Sequence, residues 1–334
     1  TITDAEGNSY DLPKIDSNAQ TNIAAANEQW KTLEPKIQAY LKDADYDAHA
    51  RRDLLPEDCL LSDAVAKCTT QYSGDAFILG GVLQVVPESL EVRGDVSTGT
   101  RFPNVDERYL LGAAPSFPVY AMGDPNLYKE KVRSGTLTMG YRNRFVGAEI
   151  SGYTNHIQNY IYFAPWVSDG MVQNVTLVQG SFPIYKFQSI DAHFYGVDGT
   201  LTFFEDTPFA SVLSGATVRA LNTDTNQHLV GIPPDSLRIQ SGWKNEEWMI
   251  RPSVSYTASQ SRVPRELDFA DPPDDFWLLN LQASVSHSVG TQDWVVNLNA
   301  RNLLNTQYRG YTSLIRYYAD EPGRDLQLSV STNF

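Results

Sequence analysis

Five histidines, His49, His156, His193, His228 and His287, are the side chains here best suited to move a proton or hold a metal ion near neutral pH. None stands at a sequence spacing that presents two imidazoles to one ion. His49 lies among Asp43, Asp45, Asp47 and Asp53, and His228 lies near Asp224. These two histidines are weak metal candidates, because imidazole and carboxylate oxygen suit a borderline cation such as zinc; a solvated loop is the plainer reading of both. His287 falls on the apolar positions of its segment and reads as structural. Cys59 and Cys68 stand nine positions apart in a polar segment. In an oxidising compartment they read as a loop-closing disulfide, which a chain-entropy estimate values at roughly 2 to 3 kcal/mol; two free thiols are the other reading. No nucleophile elbow and no glycine-rich phosphate loop is present. Neither bond-making chemistry nor a cofactor is expected.

The elements that carry these residues follow from composition and period. A formal charge of −14 argues against nucleic acid, which calls for a basic face. There is no run of about 18 apolar residues, so a transmembrane helix is excluded. A membrane barrel stays open, because its strands are about ten residues long and half polar. The final segment shows the pattern: Leu326, Leu328, Val330, Thr332 and Phe334 share one face of a strand, and Asp325, Gln327, Ser329, Ser331 and Asn333 share the other. Residues 1–75 differ. Trp30, Leu33, Ile37, Tyr40 and Leu41 fall at helical spacing, Pro35 kinks one helix or opens a second, and the segment closes on the two cysteines. The chain begins Thr-Ile-Thr, with neither an initiator Met nor a secretory apolar run, which reads as a mature, processed or partial chain.

From residue 76 to 334 the period is two. Eleven strand-like runs are expected, at 76–86, 90–100, 135–142, 145–163, 185–204, 212–222, 236–244, 248–259, 276–289, 294–304 and 324–334. Apolar alternation includes Leu137, Met139 and Tyr141; Val212, Ala216 and Val218; and Leu279, Leu281, Ala283 and Val285. Opposite faces carry Arg93, Glu149, Arg219, Arg251 and Arg301, which suits a wet lumen. The connections alternate between tight ones, such as 87–89 and 143–144, and long ones, such as 101–134 and 307–323. Short turns at one end and long loops at the other are the periplasmic and extracellular ends of an outer-membrane barrel, and aromatics gathered near strand ends, Trp243, Trp248, Trp277 and Trp294 among them, suit its two girdles.

Specific segments then resemble a known family. The run Asn302-Leu303-Leu304-Asn305, followed by Pro322-Gly323-Arg324 and a terminal Phe334, resembles the closing strands of TonB-dependent outer-membrane receptors. Arg101 to Glu107, Gly123-Asp124-Pro125-Asn126-Leu127 with Glu130, and Asp191-Ala192 with Tyr195-Gly196 resemble that family's loop and strand motifs, in its order. Within it, the pairing of Asp191-Ala192 with Tyr195-Gly196 and of Tyr311-Thr312-Ser313-Leu314 with Pro322-Gly323-Arg324 resembles the zinc-uptake branch. The stretch Leu110 to Pro115 lacks the histidines often found there, so no metal specificity carries over.

The resemblance implies an all-β chain, the C-terminal half, about 11 antiparallel strands, of a 22-stranded transmembrane β-barrel with a plugged lumen. Residues 1–75 become a helical, disulfide-closed extracellular loop segment, and 76–334 the barrel strands. It implies the bacterial outer membrane and energised uptake of a scarce nutrient such as a metal ion or metal chelate. The implied partners are an N-terminal barrel half with its plug domain, a TonB-type energising protein reached through that half, and lipid or lipopolysaccharide. Arg93, Glu149, Arg219, Arg251 and Arg301 become lumen charges facing the plug. A scaffold barrel that presents its loops to a protein complex is the alternative; a passive porin is a third reading.

Overall fold

The computed structural model describes residues 2–3, 9–10, 73–113, 118–168, 170–177, 180–290 and 292–333. The chain divides into two compact units, Thr1–Gln71 and Tyr72–Phe334. What is described of the first is a small hairpin pairing Ile2–Thr3 with Ser9–Tyr10. The expected helix, His49, Cys59 and Cys68 lie outside the described residues.

The second unit is built on eleven strands that pair in sequence order. They are β1 (Phe77–Val86), β2 (Leu90–Arg101), β3 (Glu130–Arg142), β4 (Val146–Pro165), β5 (Gly180–Phe203), β6 (Phe209–Asn222), β7 (Ser236–Lys244), β8 (Trp248–Thr257), β9 (Phe276–Val289), β10 (Gln292–Arg301) and β11 (Asp325–Asn333). Every neighbouring pair is antiparallel. Short pieces widen the loop end: Leu111–Ala113 pairs with Tyr120–Met122, which runs parallel to β5, and Asn174–Leu177 pairs with the start of β5. A five-residue helix, α1 (Val105–Tyr109), stands between β2 and β3.

The strands match the expected runs closely at their turn ends. β3 and β5 each begin five residues earlier than expected, because their upper parts lack apolar alternation. Lys131 and Arg133 occupy the same parity as Leu137, as they can once a strand rises past a hydrocarbon layer.

Tight connections are stabilised locally. Asn143 Oδ1 accepts from the amides of Phe145 and Val146, and Asn245 Oδ1 from those of Glu247 and Trp248. These are Asx turns, in which a short carboxamide replaces a backbone acceptor. All the tight turns lie at one end and all the long loops at the other, since each strand pair in an antiparallel meander reverses direction once.

Register sorts the side chains onto two faces. One continuous row runs Leu281, Ala300, Leu326, and another runs Leu137, Gly152, Val197. Leu326, Leu328 and Val330 are about 60 % exposed, as are Leu79, Leu83 and Leu137 toward the other edge of the sheet. A contiguous apolar band of this kind is not left in water by a soluble monomer; it fits a lipid face. Polar positions such as Arg93, Thr138, Ser151 and Asp198 form the other face.

One strand departs from the expected parity. In β6 the inward positions are Val212, Ala216 and Val218, paired through Ala216 with Asp198, and the outward ones are Leu213, Gly215 and Arg219. The inward face of β6 is apolar because the loop after it folds back over the sheet, so that Leu229 seals against Ala192 and Ala220. Arg219 is therefore corrected from a lumen charge to an outward residue, paired across the strand with Tyr195. Period two locates a strand but does not say which face meets lipid when an inward loop supplies its own apolar cover.

Candidate functional site

The polar face near the turn end carries a recess of about 590 Å³ lined by Gln84, Glu91, Arg93, Glu149, Arg142 and Glu205. Arg93 pairs with Glu149 and lies 3.2 Å from Glu91, so the wall neutralises much of its own charge. Arg251 shares this face, and its side chain lies across Gly242, where an added Cβ would sit 3.0 Å from Arg251 Cγ. Arg301 pairs in register with Asp325. Of the five expected lumen charges the sheet thus brings Arg93, Glu149, Arg251 and Arg301 to one face and sends Arg219 to the other.

The two loop motifs between β2 and β3 fold into one clamp. Buried Glu130 accepts from Arg101 Nε at 2.6 Å and Nη2 at 2.9 Å, and also from the amide of Ile161 at 2.7 Å. Arg101 Nη1 reaches Glu107 at 2.8 Å, and Glu107 in turn closes the capping box on Asn104 that starts α1. Gly123 lies so close to the backbone of Arg108 that a Cβ would come within 2.6 Å. The motif residues tie the end of β2 and helix α1 to the start of β3 and to β4; they are structural.

The closing motif is equally mechanical. Asn302 has φ 47 and Asn305 φ 54, left-handed positions that Asn tolerates. The Asn302 carboxamide exchanges two hydrogen bonds with the backbone of Thr306, and Asn305 Oδ1 accepts the amide of Arg324 beside Gly323. Gly196 admits no side chain: a Cβ would fall 2.4 Å from Thr217 O and from the Tyr153 hydroxyl.

Above the sheet, the long loops meet in a buried cluster that the sequence did not signal. Arg316, in a short 3-10 turn, donates to Asp268 at 2.5 Å, and the Tyr317 hydroxyl donates to the same carboxylate at 2.7 Å. The Arg316 guanidinium lies between the rings of Tyr311 and Tyr317, at 4.6 and 4.4 Å. Tyr185 of β5 hydrogen-bonds Tyr317, and Tyr318 donates to Pro118 O at 2.8 Å. Burial, with the nearby Asp268 charge, pushes the Tyr311 phenol well above its ordinary range; for Tyr317 burial leads, followed by Tyr185 and Asp268. These phenols stay neutral donors. A second cluster joins Asp235 to Arg219 at 2.7 Å and to Arg262 at 2.5 Å. Chiefly through the Arg219 hydrogen bond, it holds the Asp235 carboxyl at about 2.

Among the described residues no carboxylate acts on His228. Burial and the neighbouring Arg262 and Arg219 push its imidazole below the ordinary value, an environment that repels a cation. Among the described residues no three His, Cys, Asp or Glu side chains converge on a metal position. The structure does bring together two histidines that the sequence spacing separated. His156 and His193 stack with centroids 4.0 Å apart and planes 14° from parallel, because β4 and β5 place them opposite each other.

Solved structures share this architecture. The copper transporter OprC superposes with a TM-score of 0.56 at 18% identity, covering 73% of this chain and 37% of that chain. A ferric enterobactin receptor mutant from Pseudomonas aeruginosa gives 0.55 at 16% identity, with 77% and 40% covered. The FrpB iron transporter from Neisseria meningitidis gives 0.53 at 13%, with 77% and 38% covered. At these identities the likeness is one of fold, and the chain spans about two fifths of the length of the receptors it matches. The sequence profile described as "TonB dependent receptor-like, beta-barrel" matches residues 69–303. The eleven antiparallel strands, the outward apolar band and that match agree: the chain belongs to the TonB-dependent receptor-like β-barrel family of the Gram-negative outer membrane.

Proposed function

We propose that this chain supplies the C-terminal half of the barrel of an energised importer for a scarce metal ion or metal chelate. The observation that carries this is the odd strand count of an open sheet. β1 and β11 both run from the loop end to the turn end, and both are bare edges among the described residues. A sheet with two edges of the same direction cannot close on itself in antiparallel fashion, and two copies would meet in parallel at both seams. It accepts an odd-numbered set of strands whose two outer members run the other way. The missing half of a plugged receptor barrel supplies such a set, and bare backbone in hydrocarbon costs several kcal/mol per group, so completion is strongly favoured.

The recess at Arg93 and Glu149 is the place offered to a plug, and a TonB-type energising protein would act through the half that carries it. The segments behind the zinc-branch likeness, Gly196 and Pro322 to Arg324, serve here as scaffold, and the cargo is accordingly kept at metal ion or chelate.

The test is refolding into detergent. The isolated chain is expected to give aggregates or heat-labile material, and co-expression with the complementary half a heat-modifiable complex that takes up a metal chelate in an energy-dependent assay. A stable monomeric barrel from this chain alone would overturn the half-barrel reading. A complete complex without uptake would favour a scaffold that presents its loops to other proteins.

A further inference from the structure

Antiparallel register sets His156 of β4 directly opposite His193 of β5, on the outward face and one outward position beyond the Thr154 and Tyr195 pair. The two imidazoles stack with centroids 4.0 Å apart and planes 14° from parallel. Directly opposed residues have Cβ atoms about 4.5 to 5.5 Å apart, which lets two imidazoles reach one ion. Two nitrogens held at about 2.1 Å from a tetrahedral zinc ion lie about 3.4 Å from each other. Rings already 4.0 Å apart reach that separation by tilting together at one edge, with both strands unmoved.

The surroundings orient one ring and leave the other free. Thr154 Oγ1 lies 2.8 Å from His193 Nε2. When the Nε2 hydrogen is donated to that hydroxyl, the free lone pair is on Nδ1, and an outer hydrogen bond of this kind is how metal-ligating histidines are held in place. The Tyr195 ring flanks His193 at 5.1 Å. No hydrogen bond engages His156 among the described residues. Arg133 pairs in register with His156, Lys131 occupies the next outward position of β3, and Asp191 precedes His193 on β5, where its Oδ1 accepts the Asn159 amide. Two cations against one carboxylate give a hard cation nothing to gain here. Imidazole nitrogen instead selects borderline ions, Cu2+, Ni2+ and Zn2+, over Mg2+ and Ca2+.

We propose that His156 and His193 form a two-imidazole site for a borderline divalent cation on the outer surface of the barrel, with water completing the coordination shell and Thr154 as a positioning residue. Each strand supplies one ligand, so the ion binds the paired strands and not the separated ones. It thereby staples β4 to β5, the two longest strands of the sheet. The site lies on the outward face, apart from the lumen, and does not depend on what the barrel imports.

The experiment uses the complete receptor in detergent, stripped of metal by a chelator and labelled with diethyl pyrocarbonate in the presence of Zn2+ or Ca2+, with each histidine read by peptide mass spectrometry. Zn2+ is expected to slow labelling of His156 and His193 at least tenfold, at one common half-maximal concentration. Ca2+ is expected to protect neither, and His287, a lone imidazole, to label at the same rate throughout. In His156→Ala the Zn2+ protection of His193 is expected to vanish, and in His193→Ala that of His156. Cu2+ is expected to show two nitrogen couplings by electron paramagnetic resonance in the unaltered protein and one in either variant. Thr154→Val is expected to raise the half-maximal Zn2+ concentration at least threefold while keeping the two-nitrogen copper spectrum. Heat-modifiability confirms folding of each variant, and none of these readouts uses uptake, so they stand whether or not the barrel imports. Absence of Zn2+ protection, protection of His193 that persists in His156→Ala, or a single nitrogen on copper in the unaltered protein overturns the proposal.

Discussion

At the scale of single residues, the motif positions act through close approach and buried pairing. Glu130 is the clearest case, since one carboxylate satisfies Arg101 and the Ile161 amide together. Glu130→Gln is expected to destabilise the complete barrel by about 2 to 3 kcal/mol, the usual worth of hydrogen bonds to a charged group whose partner is left behind; the shift in heat-modifiability midpoint measures it. Gly196→Ala forces a contact with Thr217 O and is expected to impair assembly, while Gly152→Ala changes stability by less than about 0.5 kcal/mol. Asp235 gives a pH prediction. Its folded value of about 2 lies below the ordinary 3.8, so its stabilisation is complete above about pH 3.8 and is lost as pH falls through about 2. The loop between β6 and β7 should resist protease at pH 4 and yield near pH 2, and Asp235→Asn should make it yield at pH 4 as well.

At the scale of the strand, the decisive quantity is parity. Arg placed at Val330 or Leu281, both outward, should cost roughly 2 to 4 kcal/mol near the bilayer midplane and impair assembly, whereas Arg at Ser329 or Gln282 should be tolerated. β6 supplies the sharper test because its inward face is the apolar one. Leu213→Arg is expected to block assembly and Ser214→Arg to permit it, read from the yield of heat-modifiable protein in the outer membrane. The reverse outcome would put the inward loop, and with it the cover of Leu229 over Ala220, in the wrong place.

At the scale of the whole molecule, the odd number of strands sets what can complete the barrel. Single cysteines at the exposed edge positions Leu79 and Val330 should form cross-links to the complementary half and not to a second copy of this chain, because only the former meets both edges antiparallel. Detection of the copy-to-copy disulfide as the main product in membranes would refute the direction argument. The loop cluster around Arg316 and Asp268 belongs to this scale too, as it joins the loops after β8 and β10 to β5 and sets the roof above the lumen.

What the sequence determined by itself is whatever repeats locally. Alternation along one strand, Asn-based turns, and the contrast of short and long connections need only neighbouring residues, so eleven strands, their turn ends and their membrane class were legible, and β7 and β9 agree residue for residue with the expected runs. The motif segments were legible as a resemblance, although their role as clamps was not. Tertiary structure alone decided which residues meet across strands. His156 and His193 are far apart in sequence and stack because antiparallel register sets them opposite each other. Arg316 finds Asp268 only when two loops converge, and Arg219 faces outward only because a loop supplies an apolar lid for the inner face of β6. Period two is a property of one strand, but facing is a property of everything packed against it, and no local pattern encodes that.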